Sequence, residues 1–251
     1  MSDQPELSIV VPALNEEDNV QPLVDEIRKT IIDAGIDAEL IVVDDGSTDD
    51  TLARLIALAK QYPWVRPMHR DKALGQSAAM QAGIQASRGK YVATLDADLQ
   101  NDPADLPAML DVMRAGEADM VQGDRSANRR DTVVRRITSW VGRTARSTIL
   151  GDGIRDTGCT TRVVKREFAV QFPLQFKGMH RFMPVYARML GARVVERPVH
   201  HRPRVAGVAK YGVLNRGFVG LIDCFAMRWM IRRHRNWTTA QPVSIPREEA
   251  A

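Results

Sequence analysis

The sequence predicts an α/β domain, a mostly parallel sheet with helices on both faces, and three observations carry that expectation. Short apolar runs alternate with amphipathic helical segments from residue 7 to residue 123, the spacing of successive βαβ units. Polar residues gather where each apolar run ends, which is where open α/β sheets bind ligands. Composition is that of an ordinary globular protein: 251 residues, 44% hydrophobic and 26% charged, enough for a substantial core in one principal domain.

The elements follow in order. LSIVVPAL (7–14) reads as a buried strand, and EEDNVQPLVDEIRKTIIDAG (16–35) as a helix stopped by Gly35. AELIVVDDGS (38–47) is the second strand, and TDDTLARLIALAKQY (48–62) an amphipathic helix that Ser47 or Thr48 can cap. VRPMHR (65–70) is a weaker strand, GQSAAMQAGIQASRG (75–89) a helix, KYVATLDA (90–97) a strand, PADLPAMLDVMRAG (103–116) a helix and ADMVQG (118–123) a fifth strand. VVRRITSWVGRTARSTIL (133–150) is a long helix on which Arg135, Ser139, Arg143 and Arg146 share one stripe.

Near the C-terminus, GFVGLIDCFAMRWMI (217–231) contains Asp223 and Arg228 and is shorter than the ~20 residues of a spanning helix. Followed by RRHR, it suits an anionic membrane surface, with Trp229 and Trp237 at headgroup level. Docking against the principal domain, or against a small membrane subunit, accounts for the same segment. The chain thus divides into a principal domain (1–211), an interfacial segment (212–235) and a tail (236–251) with the composition of a disordered segment.

Net charge is +4 and the sequence pI about 9.3, with the basic residues concentrated in the second half: Thr132 to Gly151 holds no carboxylate. Such a half attracts phosphate or an acidic membrane surface. Nucleic-acid binding is not expected, because aromatic stacking platforms and a reader motif are lacking. Cys159 and Cys224 stand far apart, which indicates neither a disulfide framework nor a zinc site. The N-terminus has no basic n-region or secretory h-region, so a cytoplasmic protein, peripheral to the membrane, is expected.

The residues at the strand ends carry the chemistry. Asn15 and Glu16 follow the first strand, Asp44 and Asp45 end the second, Arg70, Asp71 and Lys72 end the third, and Asp96 and Asp98 end the fourth. Each alone is an ordinary turn residue or cap; together they line one rim. No GxGxxG or GxxxxGK[ST] is present, so dinucleotide and P-loop readings lose their support. In LDADLQND (95–102) two carboxylates sit two residues apart beside an apolar core. A divalent cation, Mg2+ or Mn2+, relieves their repulsion and takes hard oxygen ligands from carboxylate and phosphate together, with Gln100 as a neutral third ligand.

SIVVPALNEEDNV, ELIVVDDGSTDDT and TLDADLQNDP, in that order, resemble the nucleotide-binding half (about 7–125) of family 2 glycosyltransferases of the GT-A fold, a Rossmann-like architecture. QGDR, VVRRITS, DTGCTTRVVKRE, HRFMPVYARMLG and RVAGVAKYG in the acceptor half (about 126–211) narrow the resemblance to the dolichol-phosphate mannosyltransferase group and its bacterial polyprenyl-phosphate relatives. The resemblance implies that Pro12, Leu14 and Glu16 border the base and ribose of a GDP- or UDP-linked sugar. Asp44 and Asp45 then contact base or sugar, and Lys72 lies on the same rim. Asp96, Ala97 and Asp98 hold the ribose and the metal-bound diphosphate, and Gln100 completes the metal shell. Arg125, Arg135 and Ser139 match positions that bind the phosphate of a polyprenyl acceptor, and Arg204, Gly207, Lys210 and Tyr211 match a loop that closes on the diphosphate. Ala209 replaces that loop's usual serine.

The implied activity is inverting, metal-dependent transfer of a sugar, mannose or glucose favoured, to a polyprenyl phosphate, with Asp98, Asp156, Arg125 and Arg135 as the residues that carry it. Asp156 matches a carboxylate sometimes assigned as base. A phosphate nucleophile needs no strong base, so a role in orienting the sugar or an arginine is expected, with ion pairing to Arg155 or Arg162 as the structural counterpart. Transfer to a carbohydrate hydroxyl is the alternative; it would need Asp156 as base. A non-catalytic nucleotide-binding module has little use for the metal residues.

Overall fold

A computed structural model describes residues 4–126, 133–202 and 213–235, without the side chains of 133–141 and 213–218. Its centre is a seven-stranded sheet of β1 (Leu7–Ala13), β2 (Ala38–Asp44), β3 (Val65–His69), β4 (Tyr91–Thr94), β5 (Met120–Asp124), β6 (Arg162–Lys165) and β7 (Val194–Pro198), in the order β3-β2-β1-β4-β6-β5-β7. β1 pairs in parallel with β2 and β4, β2 with β3, and β5 with β7, whereas β6 runs antiparallel to both its neighbours.

Among the described residues eight α-helices flank it: α1 (Glu17–Ile27), α2 (Thr51–Gln61), α3 (Gln76–Ala86), α4 (Leu106–Arg114), α5 (Val133–Leu150), α6 (Arg166–Ala169), α7 (Met183–Met189) and α8 (Val213–Arg233). Successive residues of a strand point to opposite faces. Accordingly Ile9 and Val11 of β1 join one apolar core, which includes residues of α1, α2 and α4, while Val10 joins a second core with residues of α3, α7 and the inner side of α8. Both faces being covered explains the continuous apolar run of β1 and β2.

Two of the boundaries that differ from the sequence reading bear on the core and the site. The first helix ends at Ile27 and continues as a wider turn over Arg28–Ile32, in which the Asp33 N–H donates to the Arg28 carbonyl (2.8 Å); the wider turn keeps Ile31 as deeply buried as Ile27. β4 is four residues long and stops at Thr94. The chain then leaves the sheet through a turn in which Leu99 takes the left-handed conformation, φ +60°. That early exit swings the two aspartates off the strand.

Candidate active site

The ends of β1 and β2 are sewn together before any ligand is considered. The Asn15 N–H donates to Ser47 Oγ (2.8 Å), the Thr48 N–H to Asn15 Oδ1 (2.8 Å) and the Glu16 N–H to Thr51 Oγ1 (2.8 Å). Asp44 lies wholly beneath this rim, accepting from the Ser47 N–H (3.1 Å) and meeting His69 Nδ1 at 2.7 Å. Asp45, also buried, accepts from the Gly75 N–H (2.6 Å), the Leu74 N–H (3.1 Å) and Arg70 (3.2 Å). Asp45 therefore holds the loop that leads into α3 against the end of β2. Gly46, at φ +79°, makes the close approach possible: a Cβ there would stand 2.8 Å from the Ala73 nitrogen. Pro12, Leu14 and Glu16 form the half-buried part of the rim, and Lys72 is exposed.

The turn after β4 is anchored from below. The Asp96 N–H donates to Asn101 Oδ1 (3.0 Å), and Asn101 Nδ2 donates to Thr161 Oγ1 (2.8 Å). The Asp96 carboxylate receives Gln76 Nε2 on one oxygen (2.8 Å) and the Thr160 hydroxyl on the other (2.6 Å). Burial, and next the charge of Asp98, push Asp96 up to about 6 against the pull of the Thr160 hydrogen bond. Ala97 is buried, while Asp98 and Gln100 are half-exposed. Gln100 Nε2 donates to the Arg202 carbonyl (3.3 Å), which turns the amide oxygen away from that bond. Arg202 itself pairs with Asp102 (2.6 Å) and Glu26 (2.8 Å), pinning the segment after β7 onto the turn.

Facing this turn is the segment Asp156–Arg162. Arg125, at the end of β5, grips Asp156 with two parallel bonds, Nε to Oδ2 at 2.8 Å and Nη2 to Oδ1 at 3.0 Å. Four residues on, Thr160 reaches Asp96. One short stretch of chain thus holds the arginine at one end and the acidic turn at the other. Beneath it, Arg162 is entirely buried and donates to Gln122 Oε1 (2.7 Å), the Thr157 carbonyl (2.9 Å) and the His180 carbonyl (3.0 Å). Burial lowers Arg162 to about 10.

Several expectations about individual residues change. Asp156 pairs with Arg125, whereas Arg155 stands 3.8 Å from Asp124 and Arg162 donates to neutral oxygens. Arg146, grouped from sequence with the α5 stripe, is buried and ion-paired with Asp152 (3.0 Å), the first carboxylate after the helix, and donates to Thr157 Oγ1 (2.5 Å). Arg143 is exposed. Arg135 and Ser139 lie on α5, with side chains outside the described residues, as are Arg204, Gly207, Lys210, Tyr211 and Trp237. Gln76, Asn101, Gln122, Thr160 and His180 join the site with no role assigned from sequence, and Arg162 joins it in a different role from the expected ion pair with Asp156. For Thr160 the available signal was the polar run Thr160-Thr161-Arg162 that leads into β6.

Among the described residues no three His, Cys, Asp or Glu side chains converge as a metal cage. The donor chemistry of Asp98 and Gln100, with Asp96 adjacent, is that of residues that would hold a hard cation in an open site.

Comparison with known proteins identifies the family. Residues 8–171 match the model described as glycosyl transferase family 2. The chain is 36% identical over 234 residues to the dodecaprenyl-phosphate galacturonate synthase of Rhizobium johnstonii, covering 90% of this chain and 68% of that protein. Among solved structures it resembles the glucosyl-3-phosphoglycerate synthase of Mycobacterium tuberculosis in complex with Mn2+, uridine diphosphate and phosphoglyceric acid (TM-score 0.66, 22% identity, 93% of this chain and 80% of that one). It also resembles a mannosyltransferase from Pyrobaculum calidifontis in complex with GDP-Man and Mn2+ (TM-score 0.64, 20% identity, 93% and 66%). These likenesses establish the GT-A fold, and with the matched family model they make the chain a glycosyltransferase that belongs to glycosyl transferase family 2.

Proposed function

We propose that the protein transfers a sugar from a nucleotide donor to a polyprenyl phosphate, with inversion at the anomeric carbon. The observation that supports this reading is the span from Asp156 to Thr160, which hydrogen-bonds Arg125 at one end and Asp96 at the other. A phosphate monoester has its second pKa near ~6, so at neutral pH it is largely dianionic and already carries its attacking oxygen. It needs holding, not deprotonation. Arg125, preset by Asp156, and Arg135 on α5 hold the lipid phosphate in line with the sugar C1. A carboxylate whose two oxygens are occupied by a guanidinium acts as a positioning group, which favours the phosphate acceptor over a carbohydrate hydroxyl.

Pro12, Leu14 and Glu16 border the nucleotide in this reading, and Lys72, Arg204 and Lys210 supply positive charge around the diphosphate. Mg2+ or Mn2+ at Asp98 and Gln100, when bound, offsets charge on the departing nucleoside diphosphate. The acceptor of the Rhizobium relative is a polyprenyl phosphate by its name, which supports the lipid and adds galacturonate to mannose and glucose as the sugar to test. A membrane-bound acceptor agrees with α8, whose exposed Val219, Ile222, Phe225 and Trp229 precede exposed Arg232, Arg233 and Arg235.

The test is incubation with labelled nucleotide sugars of glucose, mannose and galacturonate, Mn2+ and a short polyprenyl phosphate, with extraction of the lipid product. Asp98→Ala is expected to abolish transfer. Arg135→Ala is expected to raise KM for the lipid phosphate at least tenfold while donor KM stays put. Unchanged acceptor kinetics would remove the phosphate site.

A further inference from the structure

We propose that His180 is a specificity-determining residue of the donor site, presenting a fixed N–H to an oxygen substituent of the transferred sugar. The inference rests on the nucleotide-sugar reading above and adds to it a contact with the sugar itself.

The geometry around Ser77 fixes the ring's protonation. Gly178, at φ +84°, turns the chain so that its own N–H donates to Ser77 Oγ (3.1 Å), and the His180 N–H points at the same oxygen (3.4 Å). With N–H groups on its acceptor side, the Ser77 hydroxyl has its proton left to give, and His180 Nδ1 stands 2.7 Å away to take it. Nδ1 is therefore an acceptor, and the imidazole proton resides on Nε2. Burial, then the charges of Arg162 and Arg181, hold the ring neutral by lowering it to about 3. No hydrogen bond to Nε2 is made by any described residue.

Two chains of contacts lead from this ring to Asp96. Ser77 follows Gln76, whose amide donates to Asp96 Oδ1 (2.8 Å). The His180 carbonyl accepts from Arg162 (3.0 Å), two residues beyond the Thr160 whose hydroxyl donates to Asp96 Oδ2 (2.6 Å). The imidazole is thus built into the wall that supports the acidic turn. Charged groups are already at hand for the diphosphate; a neutral donor locked in one tautomer suits an oxygen on the sugar.

Asparagine places an amide oxygen near the position of Nδ1 and lacks the distal donor; glutamine places an N–H near Nε2. Wild type, His180→Asn and His180→Gln are titrated calorimetrically, in the presence of Mn2+, with UDP-glucose, UDP-galacturonate, GDP-mannose and the corresponding free nucleoside diphosphates. For the sugar that wild type binds, His180→Asn is expected to weaken the nucleotide sugar about tenfold, the value of one hydrogen bond at about 1.4 kcal/mol. It is expected to leave the free diphosphate unchanged, and His180→Gln to recover most of the loss. Equal weakening of both ligands, or no weakening, overturns the proposal. If His180→Asn does not fold, Ser77→Ala decides: it frees the tautomer and is expected to weaken the nucleotide sugar threefold to fivefold with the same split, and any other pattern overturns it. A wild type that binds nucleotide sugar but transfers none to lipid phosphate defeats the acceptor reading and leaves this one standing.

Discussion

Arg162 sets the character of the site at the scale of single residues. A guanidinium without solvent contact is stable only when its N–H groups are matched, and here Gln122, Thr157 and His180 supply neutral oxygens, while its charge stands near Asp96 and Asp156. Replacing it with methionine, similar in length and uncharged, strands three acceptors at once. Arg162→Met is expected to lower stability by about 3 kcal/mol, measured by urea denaturation, and to lower donor affinity because Thr157 and Thr160 lose their common support. A stability unchanged within 1 kcal/mol would mean that the three acceptors find other partners. The sequence offers this residue within DTGCTTR but gives no sign that it is buried, since arginine in a strand is ordinarily exposed.

Among elements, the second half of the sheet depends on Asp119, just before β5. Its backbone carbonyl accepts from the Lys165 N–H at the end of β6 (3.0 Å), and its N–H donates to the Arg193 carbonyl before β7 (2.9 Å). Its carboxylate pairs with Lys165 (2.6 Å) and Arg193 (3.0 Å). Hydrogen bonding by Arg193 first, and by Lys165 after it, holds Asp119 well below the usual carboxylate range. A carboxylate with a depressed folded-state pKa contributes stability that is present above its unfolded value near 3.8 and is lost as pH falls below it. Asp119→Asn is expected to lower the thermal midpoint at pH 7 and to shrink the difference between pH 5 and pH 2.5. An acid limb as steep as that of wild type would assign the acid sensitivity to other groups.

At the scale of the whole molecule, α8 is apolar on two sides. Cys224 and Met227 point into the second core, whereas Val219, Ile222, Phe225 and Trp229 are 50–63% exposed along the other side. Asp223 pairs with Arg181 (2.8 Å), one residue beyond His180, so the helix is braced against the site. No helix among the described residues is long and apolar enough to cross a membrane, and a surface stripe ending in arginines suits the headgroup region. The double variant Phe225→Glu, Trp229→Glu is expected to lose at least tenfold in binding to vesicles containing anionic lipid, measured by cosedimentation, with an unchanged thermal midpoint. Binding equal to wild type would assign the stripe to a protein subunit instead.

The sequence by itself determined the strand and helix order of the first half, the rim of polar strand ends and the paired aspartates, because alternating periodicity and local turn chemistry are written in consecutive residues. It also carried the resemblance from which the family follows. Only the tertiary structure decided the antiparallel insertion of β6 between β4 and β5, the pairing of Asp156 with Arg125, the burial of Arg146 against Asp152 and the linkage of Ser77 to His180. Apart from Arg146 and Asp152, these join residues 31 or more apart in the chain. Contacts across such distances are set by which surfaces pack together, and periodicity, which reports only which face of an element is buried, does not name the partner on the other side.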